Sequence, residues 1–358
     1  MLATAAVYSA RHPDILILWE KRSLQAFADR PITEMAETYD LMVIDHPHVG
    51  EVARAGNLLP LDGQRDKEMA LLAAGSVGLS HASYAFAGHQ WALAIDTATP
   101  VACRRADRLS NIPKLWPDVL ELARQGQVAF ALIPINAWVN FLGMAKNLGY
   151  PVAEDSALLM QRHHAEHILN LLQEVLALMD KKCLDLDPIG IYEWMARCED
   201  APAYSPFGYG YTNYSRLGFA PFLLEFLDAP GIRELTPRGT VLGGTGIAVS
   251  AYSKYKDIAV DYAFWIASGE CQRGLFTEYG GQPGHAAAWD DANCNALTGN
   301  FFRNTRQTLE TAWLRPRYAG YMALQDIGGQ ILHRFLSGGA TVAATIEAIE
   351  TEYRRCRA

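Results

Sequence analysis

Residues 45–48, Asp-His-Pro-His, stand where a short apolar run at 41–44 gives out and a polar helical segment begins. Two imidazoles beside a carboxylate can bind zinc, move a proton or grip a ligand through hydrogen bonds. Zinc asks for three or four ligands at a workable spacing. His46 and His48 are only two residues apart on a chain bent by Pro47, and no further ligand is placed by spacing. Asp45 can also cap the helix that follows. In HHAEH, His163 and His167 are four apart and share one helix face, a spacing open to a metal or to a solvated helical surface. GGTGIAVS, 243–250, has a GxG but no third glycine, no Lys-Ser/Thr and no placed acidic residue, so it lacks what a nucleotide site needs. Its glycines suit close approach of backbone amides to a ligand, or re-entry of the chain into a sheet. The stretch 204–214, YSPFGYGYTNY, is dense in aromatics and glycine. Tyr209, Tyr211, Trp19, Trp138 and Trp289 can stack on a ligand's C–H face and also fit a core. No GxSxG elbow, Cys–His pairing or facing carboxylate pair points to a reaction.

These groups need elements to hold them. Helices are predicted over 2–11, 31–38, 49–55, 114–125, 137–148, 156–181, 188–199, 220–227, 257–268, 305–313, 317–336 and 341–355. Strands are predicted over 15–19, 41–44, 128–133 and 247–250. Helix and strand alternate at the start, the pattern of an α/β sheet with parallel strands, where ligands sit beyond the carboxyl ends of the strands. Residues 45–48 fall at one such end; 136–138 and 244–246 fall at strand ends or turns.

The chain has 358 residues, enough for two domains. Half of it is hydrophobic, a fifth is charged, and the net charge is −8, which excludes a general nucleic-acid or anionic-membrane binder. No apolar run reaches the ~20 residues of a membrane helix. The first twenty residues are not a secretory signal, so the chain by itself reads as cytoplasmic. Six cysteines without CxxC spacing argue against a zinc ribbon or disulfide scaffold, leaving room for a single bridge.

Four blocks, in order along the chain, resemble the family 1 extracellular solute-binding proteins of ABC importers, relatives of maltose-binding protein. They are YDLMVIDHPHVGEVARAGNLLPLDG, WALAIDTATPVACRR, DPIGIYEWMARCEDAPAYSPFGYGYTNYSR and VLGGTGIAVSAYSKYKDIAVDYAFWIASGECQRGLFTEYGGQPG. The resemblance implies an α/β, two-lobed, periplasmic-binding-protein-like fold of type II with a ligand cleft. One lobe would take 1–95 and 240–290, the other 96–239 and 291–358. Carried over block by block, the ligand-binding candidates are Asp45, His46, His48, Asp96, Asn136, Trp138, Tyr209, Tyr211, Gly244 and Thr245, with Arg315 and Arg317 as lesser ones. The implied role is capture of a small polar solute, a sugar or polyol, by lobe closure, and delivery to a membrane permease. It implies no cofactor, metal, nucleic acid or chemistry, and a monomer in the periplasm. A small-carboxylate binder of the same fold and a cytoplasmic two-lobed enzyme using His46 or His48 as acid–base are the alternatives; a third is a protein-binding module that has lost its ligand. Family members carry a signal and open on a strand inside the first lobe, and this chain opens on a helix. The expectation is that the natural polypeptide starts upstream of Met1.

Overall fold

Three short strands meet in the first compact unit, and the middle one comes from far along the chain. Leu41–Asp45 and Leu93–Ala94 both pair with Thr245–Val249, and both pairings are antiparallel. The parallel sheet expected from helix–strand alternation is therefore not what these strands form. The physical reason is connectivity. Thr245–Val249 arrives only after the long excursion Ala98–Leu242, so no short crossover helix dictates its direction. The computed structural model describes residues 1–21, 32–234 and 239–357. They divide into two units: Met1–Thr97, Gly243–Ala296 and Arg317–Ala319 in one, and Ala98–Leu242, Leu297–Pro316 and Gly320–Ala358 in the other.

In the first unit the middle strand is buried on both faces. Ile247 and Val249 pack with Leu93, Ile95 and the helix Lys256–Ala267. Ala248 packs on the other side with Met42, Ile44, Tyr84 and Trp91. This is the period-two alternation of a strand covered from both sides. The helices Leu2–Arg11 and Val49–Ala55 form as predicted. The helix expected over 31–38 is seen from Ile32 to Thr38; residue 31 lies outside the described residues. The strand expected over 15–19 is not one. Ile15, Ile17 and Trp19 pack on the core, Leu16 and Leu18 are exposed, and no described strand bonds to this segment. The apolar run satisfies strand propensity without a ladder partner.

In the second unit Pro100–Arg104 lies between Tyr204–Tyr209 and Glu225–Leu227, antiparallel to both. The long helix Pro134–Asn147 packs against Tyr321–Leu336, and Val342–Arg357 packs against Tyr321–Leu336 in turn. Residues 128–132 are buried but make a single bridge, Val128 to Tyr204, rather than the predicted strand. Residues 220–227 hold the strand Glu225–Leu227 and no helix. The helix expected over 156–181 is shorter, Arg162–Leu176. Asp187 starts the next helix, Pro188–Arg197, accepting from the Gly190 amide at 2.7 Å with Pro188 in the first turn. All six cysteines are free.

Candidate ligand-binding site

In the first unit the candidates gather at one end of the sheet. Asp45 ends its strand and stands opposite Thr245 in the ladder. Its carboxylate accepts from the His46 amide at 3.0 Å, which starts the tight turn His46–His48 with Pro47 inside it. On the other side of Thr245 the chain makes a bulge. The amides of Ile95 and Asp96 both donate to Thr245 O at 3.0 Å, while Thr245 N donates to Asp96 O at 3.2 Å. Two residues thus oppose one, and the extra residue turns Asp96 to stand beside Thr245. Partners across an antiparallel ladder share a face, so Asp45, Thr245 and Asp96 form one polar row.

Burial first, and the Asp45 charge second, push the Asp96 carboxyl up to about 7; the Thr97 backbone amide works the other way. Gly244 makes the bulge possible. Its φ is +113°, and a Cβ there would lie 2.4 Å from Asp96 O. A glycine is needed on both counts.

His46 is fully buried. Its ring meets Tyr84 edge-on at 6.2 Å, and Nδ1 lies 3.5 Å from Asp45 Oδ1. It belongs to the wall behind the turn and is not on an open rim. The physical reason is that Pro47 folds the turn back over the sheet end, carrying His46 inward. His48 is half-buried, 3.7 Å from Glu51 in the helix it opens. Tyr84 is the residue that sequence reading missed. Its hydroxyl donates to Gly244 O at 3.2 Å and to Ile44 O at 3.4 Å, joining the two strand ends. Nothing in its neighbourhood, HASYAF, signals that task. Arg317 donates to the carbonyls of Ala82, Ser83 and Ala85, so it props the segment that carries Tyr84.

The second unit holds its own candidates. Asn136 and Trp138 lie on the helix Pro134–Asn147 and not in a turn, because Pro134 starts the helix early. Asn136 is nearly buried, and its side-chain oxygen finds no hydrogen-bond partner among the described residues. Trp138 is 0 % exposed. A Cβ on Gly328 would sit 2.4 Å from its ring, and its indole N–H donates to Tyr321 Oη at 3.4 Å. Trp138 is therefore a helix–helix packing residue, which corrects its expected place against a ligand. Tyr209 ends the strand Tyr204–Tyr209 and donates to Val241 O at 3.3 Å. Tyr211 meets Tyr192 edge-on at 6.3 Å. Both are partly exposed. The alternating glycines have a cause: a Cβ on Gly208 would meet Tyr192 Oη at 2.4 Å, and one on Gly210 the Phe301 ring at 2.7 Å. Arg315 is buried and donates to Gln325 at 2.9 Å, an internal bond.

Of the other motifs, HHAEH is not a free solvated face. Tyr150 stacks on His164 at 3.7 Å and its hydroxyl is 2.8 Å from His167 Nδ1. Trp19 and Trp289 bond inward, to Tyr262 Oη and Pro283 O, as core residues do. Among the described residues no group of three or more His, Cys, Asp or Glu side chains is placed to hold a metal ion. No described helix is long and apolar enough to cross a membrane.

No family model and no curated protein matches the sequence. Solved structures do match. Maltose-bound MalE3 of T. maritima superposes with a TM-score of 0.84 at 16 % identity, over 98 % of this chain and 94 % of that one. The solute-binding protein of an Agrobacterium radiobacter ABC transporter, in complex with ribitol, gives 0.83 at 17 %, over 99 % and 94 %. UgpB of Mycobacterium tuberculosis, in complex with glycerophosphocholine, gives 0.78 at 16 %, over 99 % and 93 %.

The fold is that of an ABC-transporter solute-binding protein.

Within this solute-binding fold, the structure brings Asp45, Asp96, Gly244 and Thr245 together in the first unit. In the second it leaves Tyr209 and Tyr211 partly exposed, and Asn136 buried with a side-chain oxygen that finds no partner among the described residues. It withdraws His46 and Trp138 into the walls.

Proposed function

We propose that this protein is the solute-capturing component of an ABC importer, taking up a small polar solute, a sugar or polyol, and handing it to a membrane permease. The observation that carries this reading is the match of nearly the whole chain to solute-binding proteins, at TM-scores of 0.73–0.84. Three of those structures hold maltose, ribitol and tagatose. The two units act as the lobes that close on the ligand, shifting the population toward a closed form that docks on the permease. The protein works as a monomer outside the cytoplasmic membrane, in the periplasm, and catalyses nothing. The polar row of the first unit supports a ligand rich in hydroxyls, since carboxyl and hydroxyl groups both accept from O–H. It speaks against a carboxylate ligand, which would meet the Asp45 charge beside Asp96 with a like charge. An enzymatic role for His46 is disfavoured by its full burial.

The test is thermal unfolding against a panel of sugars, polyols, sugar acids and small carboxylates. A ligand that binds only the folded protein, at 100 times its Kd, adds about 2.7 kcal/mol of stability. The expected outcome is a rise in Tm with neutral polyhydroxylated compounds and none with acids. A cooperative transition that no compound moves rules out small-solute capture from this panel's classes and points to a protein partner.

A further inference from the structure

We propose that a cavity beside the hairpin of Ala85–Phe86 and His89–Gln90, in the first unit, binds a phosphate group, free or as a small soluble monoester, through the two guanidinium nitrogens of Arg317 that the fold leaves open. The cavity shares no lining residue with the polar row of Asp45, Thr245 and Asp96. The site therefore lies outside the one proposed for the solute and does not depend on it.

Arg317 is held at both ends. Its main chain packs on Gly50, where a Cβ would lie 1.8 Å from Arg317 O. At its head, Nη1 donates to the carbonyls of Ala82 and Ser83, both at 3.1 Å, and to that of Ala85. The Phe86 ring lies beside the guanidinium, its centroid 5.9 Å from Cζ. A guanidinium is planar, so fixing Nη1 fixes the direction of the edge that carries Nε and Nη2. Among the described residues those two nitrogens find no acceptor, and no carboxylate is in ion-pair range of Arg317. In a chain with 39 Asp and Glu against 31 Lys and Arg, acids are not scarce, yet this half-buried cation is left without one. Burial lowers its pKa from the ordinary guanidinium value, as expected of a charge short of partners.

The cation lines a cavity of about 550 Å³ together with Phe86, Asp62 and His89, a volume in the range of small-ligand sites. Asp62 does not answer the arginine. Its Oδ2 is 2.9 Å from His89 Nδ1, and its Oδ1 accepts from the Gln90 amide at 2.9 Å. Both oxygens are engaged by the hairpin. In that hairpin Ala85 pairs with Gln90 and Phe86 with His89, and Ala87 and Gly88 turn between them with φ of +51° and +83°. A two-residue turn with positive φ at both positions matches the twist of its strands. The wall that carries Phe86 and His89 is thus a regular hairpin and not a loose loop.

This arrangement asks for an oxyanion. Nε and Nη2 form a fork that matches two oxygens of one phosphate, and such paired, charge-assisted bonds are among the stronger ones. A phosphate monoester carries more negative charge at neutral pH than a carboxylate does, and so gains more from a fixed cation held partly out of water. Its remaining oxygens stay with water at the open side of the cavity. Asp62 repels any anion that enters, which makes the site weak and also supplies its test.

The measurement is proton–nitrogen NMR of the arginine Nε–H groups in the whole protein, titrated with inorganic phosphate and with glycerol 3-phosphate, against sodium chloride at equal ionic strength. The Arg317 signal is identified by its loss in Arg317→Lys. Should that variant not fold, the loss of ring-current shift in Phe86→Leu identifies the same signal. It should move along a saturable curve with both phosphates and stay still with chloride. Asp62→Asn keeps an acceptor for the Gln90 amide and removes the repelling charge, so it should bind phosphate about threefold or more tightly. A signal that does not move, or that moves equally with chloride, overturns the site. So does an affinity left unchanged in a folded Asp62→Asn, because the anion then sits elsewhere. Saturating ribitol or maltose should leave the phosphate curves as they are; a curve displaced by either sugar would put the phosphate in the solute site and overturn the separate one.

Discussion

At Asp96 a carboxyl is held where it is costly to ionise, and that has a consequence for stability apart from any ligand. Its folded value is raised to about 7 from an ordinary 3.8. The folded protein therefore holds a proton that the unfolded chain gives up at mildly acidic pH. Stability from this group is full below about pH 4 and is lost as pH rises through 7. The full shift corresponds to roughly 4 kcal/mol, and because Asp96 as a residue is only partly buried, solvent screening reduces this to on the order of 2–3 kcal/mol. Asp96→Asn should remove that dependence. In urea titrations at pH 8 the variant should be the more stable protein, and at pH 4.5 the difference should shrink toward zero. A variant equally destabilised at both pH values would mean that Asp96 matters through its shape and not its proton.

Elements in this fold are placed by small residues at close approaches. Gly244 holds its bulge with φ +113° and leaves no room beside Asp96 O. Gly328 lets two helices meet over Trp138, where a Cβ would press on the indole. Gly244→Ala combines a backbone strain of about 1–3 kcal/mol with a steric clash against main chain. It should lower stability by at least 2 kcal/mol and also displace Asp96. The check is a Tm drop accompanied by loss of the near-neutral carboxyl titration. A variant with the lower Tm and an unchanged titration would separate the bulge from the acid it carries.

Across the whole molecule, the first unit is closed by contacts between residues remote in sequence. Tyr8, on the opening helix, donates to Asp261 at 2.6 Å, and Arg65 donates to the other oxygen of the same carboxylate at 2.5 Å. Burial works to raise Asp261, but the bonds from Tyr8 and Arg65 and the Arg65 charge outweigh it and hold it below its usual range. Its contribution is present at neutral pH and is lost as pH falls through the lowered value. Asp261→Asn should cost about 1–2 kcal/mol at pH 7, because two donors lose a charged acceptor. It should cost little at pH 2.5. Tyr8→Phe should cost about 1 kcal/mol at pH 7. Denaturant midpoints at the two pH values test both; equal losses would show that the carboxylate's charge is not what ties these segments together.

Local pattern determined much of this protein. The helices at Leu2–Arg11, Val49–Ala55 and Lys256–Ala267, and the strand end at Asp45, follow from periodicity, caps and turn residues, all of which act within a few positions. The ordered blocks were enough to indicate a solute-binding fold. What only tertiary structure decided was direction, register and burial. Thr245–Val249 runs antiparallel to both neighbours because its position in the sheet is set by a chain returning from afar. His46 and Trp138 are polar-tipped residues that pattern alone leaves free to face a ligand; packing against Tyr84 and Gly328 turns them inward. Tyr84 and the Ile95–Asp96 bulge carried no local signal, since their roles exist only once strands distant in sequence lie side by side. Short-range physics writes the elements, and the long-range contacts between them choose which side chains meet.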